Sequence, residues 1–155
     1  QPVASVGWAI DDLLEVAPKN IFDETADIND ENMKRIDYLF NSNLFELPND
    51  IRPDCHKEGH TYPAVYGRLK WDEPAGTITS GFLSPGRGRF IHPLSRRCLT
   101  PHEAARLQGF PDWFDFVLPN RPAPTRKILG KWIGDAVPPI MGYAVALSAL
   151  AGVVD

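Results

Sequence analysis

The amino-acid sequence predicts an α+β chain in which flanking helices enclose an irregular, β-containing middle. Three observations carry that prediction. Apolar residues recur at helical spacing near the N-terminus and again after Asn29, alternate every second residue between 65 and 71, and fill a C-terminal run that is uncharged from 136 until Asp155. Fifteen prolines and twelve glycines among 155 residues interrupt the pattern often and exclude long elements, while 43% hydrophobic and 10% aromatic residues supply a core and exclude wholesale disorder.

Ser5 stands before Val6, Ile10, Leu13, Leu14 and Ala17, which share one helical face until Pro18 ends the run, so a short amphipathic helix capped by Ser5 is expected. A second helix is expected after Asn29. Asp30 and Glu31 would occupy its first turn, where the helix dipole favours carboxylates, and Met33, Ile36, Leu39 and Phe40 its buried stripe. Residues 47–63 carry Pro48, Asn49, Asp50, Pro53, Asp54 and Gly59 and read as a loop. Val65, Gly67, Leu69 and Trp71 then alternate with Tyr66, Arg68 and Lys70. Asp72, Glu73 and Pro74 turn the chain, and Thr77, Ile78 and Thr79 resume a β-favouring run, which predicts an antiparallel pair. Residues 81–89 form a glycine-rich, basic tip before Phe90 and Ile91 return to an extended pattern.

Thr100-Pro101-His102-Glu103 is the sharpest local signal. A threonine cap, proline at the first helical position and glutamate three residues after the cap make a capping box, and Gly109 with Pro111 beyond stops the helix. Pro119, Pro122 and Pro124 make 119–124 a linker. Residues 139–154 predict a helix that is apolar nearly all round. Its sixteen residues fall short of the ~20 that a bilayer core requires, so a covering of protein is expected, not a membrane.

The charge is divided unevenly. Residues 1–50 hold 11 acidic and 3 basic side chains, a net of −8, whereas residues 51–155 hold 9 and 13, a net of +4. A basic stretch in an acidic protein hints at a local anionic partner such as a phosphate backbone. Two cysteines, Cys55 and Cys98, make no disulfide framework, and no leader is visible after Gln1, which fits a cytoplasmic setting. Cys55, His56 and His60 offer three metal-ligand side chains without a Cys-x-x-Cys pair, so an ordinary polar loop is expected there and no metal site. The glycine tip lacks the Gly-Lys-Ser or Gly-Lys-Thr ending of a phosphate-cradling loop.

Three longer blocks remain. Gly67-Arg68-Leu69 with Trp71 and Pro74-Ala75-Gly76-Thr77-Ile78-Thr79 comes first, Leu99-Thr100-Pro101-His102-Glu103-Ala104-Ala105-Arg106-Leu107-Gln108-Gly109-Phe110-Pro111 second, and Ile133-Gly134-Asp135-Ala136-Val137-Pro138-Pro139 third. In this order they resemble the C-terminal part of the bacterial restriction-modification DNA cytosine-5 methyltransferases: the end of the target recognition region, the ninth motif and the tenth. Residues 1–63 carry little of the resemblance.

The resemblance implies the C-terminal part of an S-adenosylmethionine-dependent methyltransferase fold. Residues 1–20 would belong to or hinge on the cofactor domain, 21–125 would form the target recognition domain, and 126–155 would return to the cofactor domain. It implies S-adenosylmethionine as cofactor, with Gly134, Asp135, Ala136 and Val137 lining part of its site. The family commonly has asparagine where this chain has Asp135, and a carboxylate accepts hydrogen bonds but does not donate them. Duplex DNA is the implied partner. Arg87 and Arg89 at the tip would meet phosphates or guanine edges, with Arg68, Thr77, Thr79, Ser80, Ser84 and His92 beside them.

In the family a cysteine thiolate in a Pro-Cys setting attacks the flipped base. Here Cys55 follows Asp54, Cys98 follows Arg97, and Glu-Asn-Val does not occur, so the chain alone is expected to be inactive. Its further partner would be the missing catalytic half, in the same protein or as a separate subunit, and residues 139–154 would self-associate without it. Two rivals stay open: a non-catalytic DNA-binding subunit or regulator reusing the recognition region, and a domain whose arginine tip binds another protein.

Overall fold

The three helices predicted before residue 110 each start where a side-chain oxygen is available to their first free N–H groups. The computed structural model describes residues 4–57, 64–117 and 119–152. In α1 (Val6–Ile10) the Ser5 hydroxyl accepts from the Trp8 N–H, and the helix runs on into a 3₁₀ turn at Asp11–Leu13. In α2 (Asp30–Asn41) Asn29 is the cap, Asp30 and Glu31 fill the first turn, and Ile36 and Leu39 are buried with Phe40 packed beside them. In α3 (Pro101–Leu107) both halves of the capping box are present. Its end is a Schellman turn: Gly109, at φ 86°, donates to the Arg106 carbonyl and Phe110 to that of Ala105. A further helix, α4 (Arg126–Asp135), was not assigned from the sequence; Thr125 caps it, and Leu129, Gly130 and Ile133 form its buried side.

The antiparallel pair predicted between 65–71 and 77–79 does not form. The Leu69 N–H donates to the Ile91 carbonyl and the Ile91 N–H to that of Gly67, at 2.9 and 3.2 Å. The carbonyls of Trp71 and Glu73 are taken by the N–H groups of Gly7 and Val6, which α1 cannot satisfy internally. Among the described residues, β pairing is limited to two isolated bridges, Arg68 with Ile91 in parallel and Ile91 with Cys98 in antiparallel sense. The β part of the expected fold is thus reduced to these bridges.

Two apolar clusters hold the chain. The first joins Val6 and Ile10 of α1, Ala104 and Ala105 of α3, and Leu129 and Ile133 of α4 to Leu69, Ile78, Phe82, Phe90 and Leu99. The second joins Ile36 and Leu39 of α2 to Leu47, Val65, Tyr66 and Ile91. Around them the two charge blocks fold onto each other: Arg89 pairs with Glu46, Arg96 with Asp37, Arg106 with Asp12 and Arg126 with Glu24.

Residues 126–151 are long and apolar enough, by length and composition, to cross a membrane. They are not one helix, however. Ala136 and Pro138 are extended, at ψ 141° and 129°, and α5 (Pro139–Ala151) starts anew with 13 residues. At 1.5 Å per residue it is about 20 Å long, against a hydrocarbon core of about 30 Å. Every described residue of α5 is exposed, including Ile140, Met141, Val145, Leu147 and Leu150.

Candidate functional site

The basic tip is a 3₁₀ turn, Pro85–Arg87, with proline at its first position and the Arg87 N–H donating to the Ser84 carbonyl. Arg87 is exposed, and its guanidinium has no ion-pair or hydrogen-bond partner among the described residues. Thr77, Thr79 and Ser80 are exposed and Ser84 is half-buried. Three other residues expected at the same surface turn inward. The Arg89 guanidinium donates to the carbonyls of Phe45 and Arg68 at 3.0 and 3.2 Å besides pairing with Glu46. Arg68 donates through Nε to the Pro93 carbonyl at 2.8 Å, and its guanidinium lies 4.1 Å from the centroid of the Phe40 ring. Burial, and secondarily Arg96, push the Arg68 pKa below its ordinary value.

His92 has no exposed surface. Its Nδ1 accepts from the N–H groups of Leu94 and Ser95 at 3.1 and 2.9 Å, which puts the proton on Nε2, 3.5 Å from Glu103 Oε1. His92, expected beside the arginine tip, thus lies inside the fold, where its ring braces the turn at 92–95. Burial pulls its pKa down to about 4 against the upward pull of Glu103, with Arg97 and Arg68 adding to the fall.

The folded pKa of His92 lies below the ordinary 6.5, so the unfolded chain takes up the proton first as the pH falls. Stability that is fully present above pH ~6.5 is lost on the way to pH ~4, and the expected loss from this residue is about 3 kcal/mol. Urea unfolding of the unmodified chain and of His92→Gln at both pH values checks this. The unmodified chain should lose the excess, and equal losses would refute it.

Glu103, 2% exposed, accepts two hydrogen bonds from Arg97, at 2.7 and 2.6 Å, and one from the Thr100 N–H at 2.9 Å. It thereby ties the segment 92–98 to the start of α3. At the other end of α3, the buried Gln108 donates through Nε2 to the carbonyls of Ile133 and Ala136, at 3.0 and 3.2 Å. Sequence reasoning passed over Gln108. The signal was there in a polar side chain directly before a helix-ending glycine, a place where burial demands partners.

Gly134 and Asp135 close α4, while Ala136 and Val137 belong to the extended link to α5. Asp135 does not cap α5, whose first flanking residue is Pro138. Its carboxylate pairs with Lys131 at 2.8 Å, which raises the lysine pKa. Gly134 is pressed against the backbone of the segment 77–80. A Cβ on Gly134 would stand 2.0 Å from the Ser80 nitrogen and 2.3 Å from the Thr79 carbonyl carbon. The third block of the sequence thus touches the first through this glycine and the second through Gln108.

Cys98 is buried, and burial pushes its thiol up to about 12, so it carries no thiolate near neutrality. Cys55 is exposed. Among the described residues no three His, Cys, Asp or Glu side chains cluster as metal ligands would, and His60 lies outside them.

Residues 9–150 match the family model of the C-5 cytosine-specific DNA methylases. A Type II methyltransferase of Bacillus subtilis is 50% identical over 146 residues, 94% of this chain and 33% of that protein. A Type II methylase of Herpetosiphon aurantiacus is 36% identical over 124 residues, 78% of this chain and 34% of that protein. A DNA (cytosine-5)-methyltransferase of Oryza sativa subsp. japonica is 31% identical over 129 residues, 83% of this chain and 8% of that protein. The chain spans about a third of the length of the first two. Its three packed sequence blocks all lie within the matched residues, and the chain belongs to the C-5 cytosine-specific DNA methylase family.

Proposed function

We propose that this chain is the target-recognition and C-terminal part of a DNA (cytosine-5-)-methyltransferase of the restriction-modification type. Residues 21–125 form the recognition domain, 1–20 connect it to the cofactor domain, and 126–155 return to that domain. The intact enzyme transfers a methyl group from S-adenosylmethionine to cytosine in duplex DNA, and this chain supplies recognition without the nucleophile. The observation that carries this reading is the packing of Gly134 on Thr79 and Ser80, which brings the tenth-motif loop against the surface expected to meet DNA.

On this reading Arg87, Thr77, Thr79, Ser80 and Ser84 face the duplex, and Arg68 and Arg89 hold that face in shape. Gly134, Asp135, Ala136 and Val137 hold one edge of S-adenosylmethionine, which supplies the methyl group when bound. Val137 is 69% exposed, and the neighbouring open hollow of about 880 Å³ is lined by Pro138 and Ile140 with Trp8, Leu107 and Gly109 and by none of the four residues from Gly134 to Val137. The exposed apolar α5 takes the catalytic part as its partner, in the same protein or in a separate subunit, and a second copy of the chain when neither is present.

The test is a titration of the chain with cytosine-containing duplexes at about 50 and about 200 mM salt, with methyl incorporation and sedimentation followed on the same samples. Two phosphate contacts would lower the affinity about tenfold between these concentrations. Salt-sensitive binding, no incorporation and concentration-dependent association are expected. Salt-independent binding, methyl transfer by the chain alone, or a strict monomer at high concentration would each overturn the corresponding part.

A further inference from the structure

A bulky residue with a left-handed backbone packs against the arginine tip. Tyr66 has φ 57°, in the left-handed region that a bulky L-residue avoids. A glycine follows at once, but Gly67 is not the residue that takes the unusual conformation. It is kept small by crowding, since a Cβ there would stand 2.7 Å from the Ala64 carbonyl oxygen and 2.9 Å from Arg89 Cγ. The strain therefore falls on the tyrosine, and strain of this kind persists only where the surroundings over-determine it.

Three contacts do so here. The Tyr66 N–H donates to the Pro85 carbonyl at 2.7 Å. The ring, in a residue only 6% exposed, is packed in the cluster of Ile36, Leu39, Leu47 and Ile91, with the Arg35 guanidinium 5.6 Å from its centroid. The phenol oxygen lies against Gly86, where a Cβ would come within 3.1 Å of it. Pro85 and Gly86 are the first two residues of the turn that carries Arg87. In the ordinary β or helical conformation, Tyr66 could not both aim its N–H at Pro85 and bury its ring beside α2.

We propose that Tyr66 is a positioning residue for Arg87, its strained backbone clamping the Pro85–Arg87 turn to the α2 cluster so that the Arg87 side chain leaves the fold from one fixed point toward duplex DNA. The proposal rests on the DNA reading of the tip and deepens it. Gly86 is the matching half of the clamp, because its missing side chain makes room for the phenol. A side chain that starts from one fixed point reaches the same part of the duplex in every encounter, whereas one on a loose turn pays for its ordering on binding.

The experiment is a double-mutant cycle in the full chain, read by binding to a mixed-sequence duplex and by thermal unfolding of each variant. Arg87→Ala should weaken binding about tenfold on its own. In the Tyr66→Gly background, where the strain is relieved and the ring lost, the same substitution should weaken it less than about threefold. Gly86→Ala serves as a second background that leaves the α2 cluster intact, and Tyr66→Phe should behave as the unmodified chain apart from a small loss. A merely structural tyrosine would lower the unfolding temperature and leave the Arg87 effect unchanged in both backgrounds, which would overturn the proposal. No effect of Arg87→Ala in the unmodified chain would instead sink the DNA reading of the tip, and the proposal with it.

Discussion

Gly134→Ala is expected to destabilise the chain by about 3 to 4 kcal/mol, although in an isolated helix the same change would stabilise by about 1 kcal/mol. The sign reverses because a Cβ at this position would meet backbone, at 2.0 Å from the Ser80 nitrogen and 2.4 Å from its Cα, and no side-chain rotation relieves a clash with backbone. Either α4 lifts from the segment 77–80, opening the cluster at Ile133 and Ile78, or that segment moves with it. Two neighbouring glycines serve as controls. At Gly130 a new Cβ would stand 3.2 Å from the flexible end of Leu83 and 3.3 Å from the Ser80 carbonyl oxygen, contacts that a shift of a few tenths of an ångström relieves, and at Gly142 nothing lies within 4 Å. Urea unfolding should therefore show a large loss for Gly134→Ala, little change for Gly130→Ala and a gain for Gly142→Ala. A neutral Gly134→Ala would mean that α4 is not seated on this segment in solution.

Glu103→Ala should cost about 3 kcal/mol, at the low end of the range for removing one partner of a buried ion pair, because Arg97 keeps about a quarter of its side chain in solvent. Three losses coincide in this variant. Arg97 keeps its charge without the two short hydrogen bonds that balanced it, the Thr100 N–H loses its acceptor, and the neutral His92 loses the carboxylate facing Nε2. Glu103→Gln retains the shape and one acceptor oxygen, so it should cost clearly less, about 1 to 2 kcal/mol. Urea midpoints of the two variants at pH 7 check the difference. Equal costs would show that the network holds by shape and not by charge.

The parts of the fold that could be read in the sequence are those whose causes are local. Thr100, Pro101, Glu103 and Gly109 lie within ten residues of one another and specify both ends of α3 without help from elsewhere. Asn29 with Asp30 and Glu31 does the same for the start of α2. The alternation from Val65 to Trp71 was real, but alternation names no partner. Leu69 pairs with Ile91, and the carbonyls further along answer the free N–H groups of α1, some sixty residues earlier in the chain. The candidate site divides in the same way. The exposure of Arg87 was legible because glycines and proline already mark a surface turn. Arg68, Arg89 and His92 were chemically plausible at the same surface, yet carbonyls of Phe45 and Pro93, the rings of Phe40 and Phe45, and the carboxylate of Glu103 draw them inward. Residue type and short spacing contain none of those neighbours.

The pairing of the acidic first third with the basic remainder bears on how the chain meets a long polyanion. Four arginines at 89, 96, 106 and 126 each have a carboxylate from the first fifty residues within 2.5 to 2.8 Å. Opposite charges so close together form dipoles whose potential dies away within a few ångströms, while physiological salt screens what is left over about 8 Å. A field of that kind does not steer distant encounters or hold a protein loosely along a duplex while it searches. On the proposed DNA reading, residence at a wrong sequence is then short, and the time spent on a duplex is set by the few contacts made at close range, Arg87 among them.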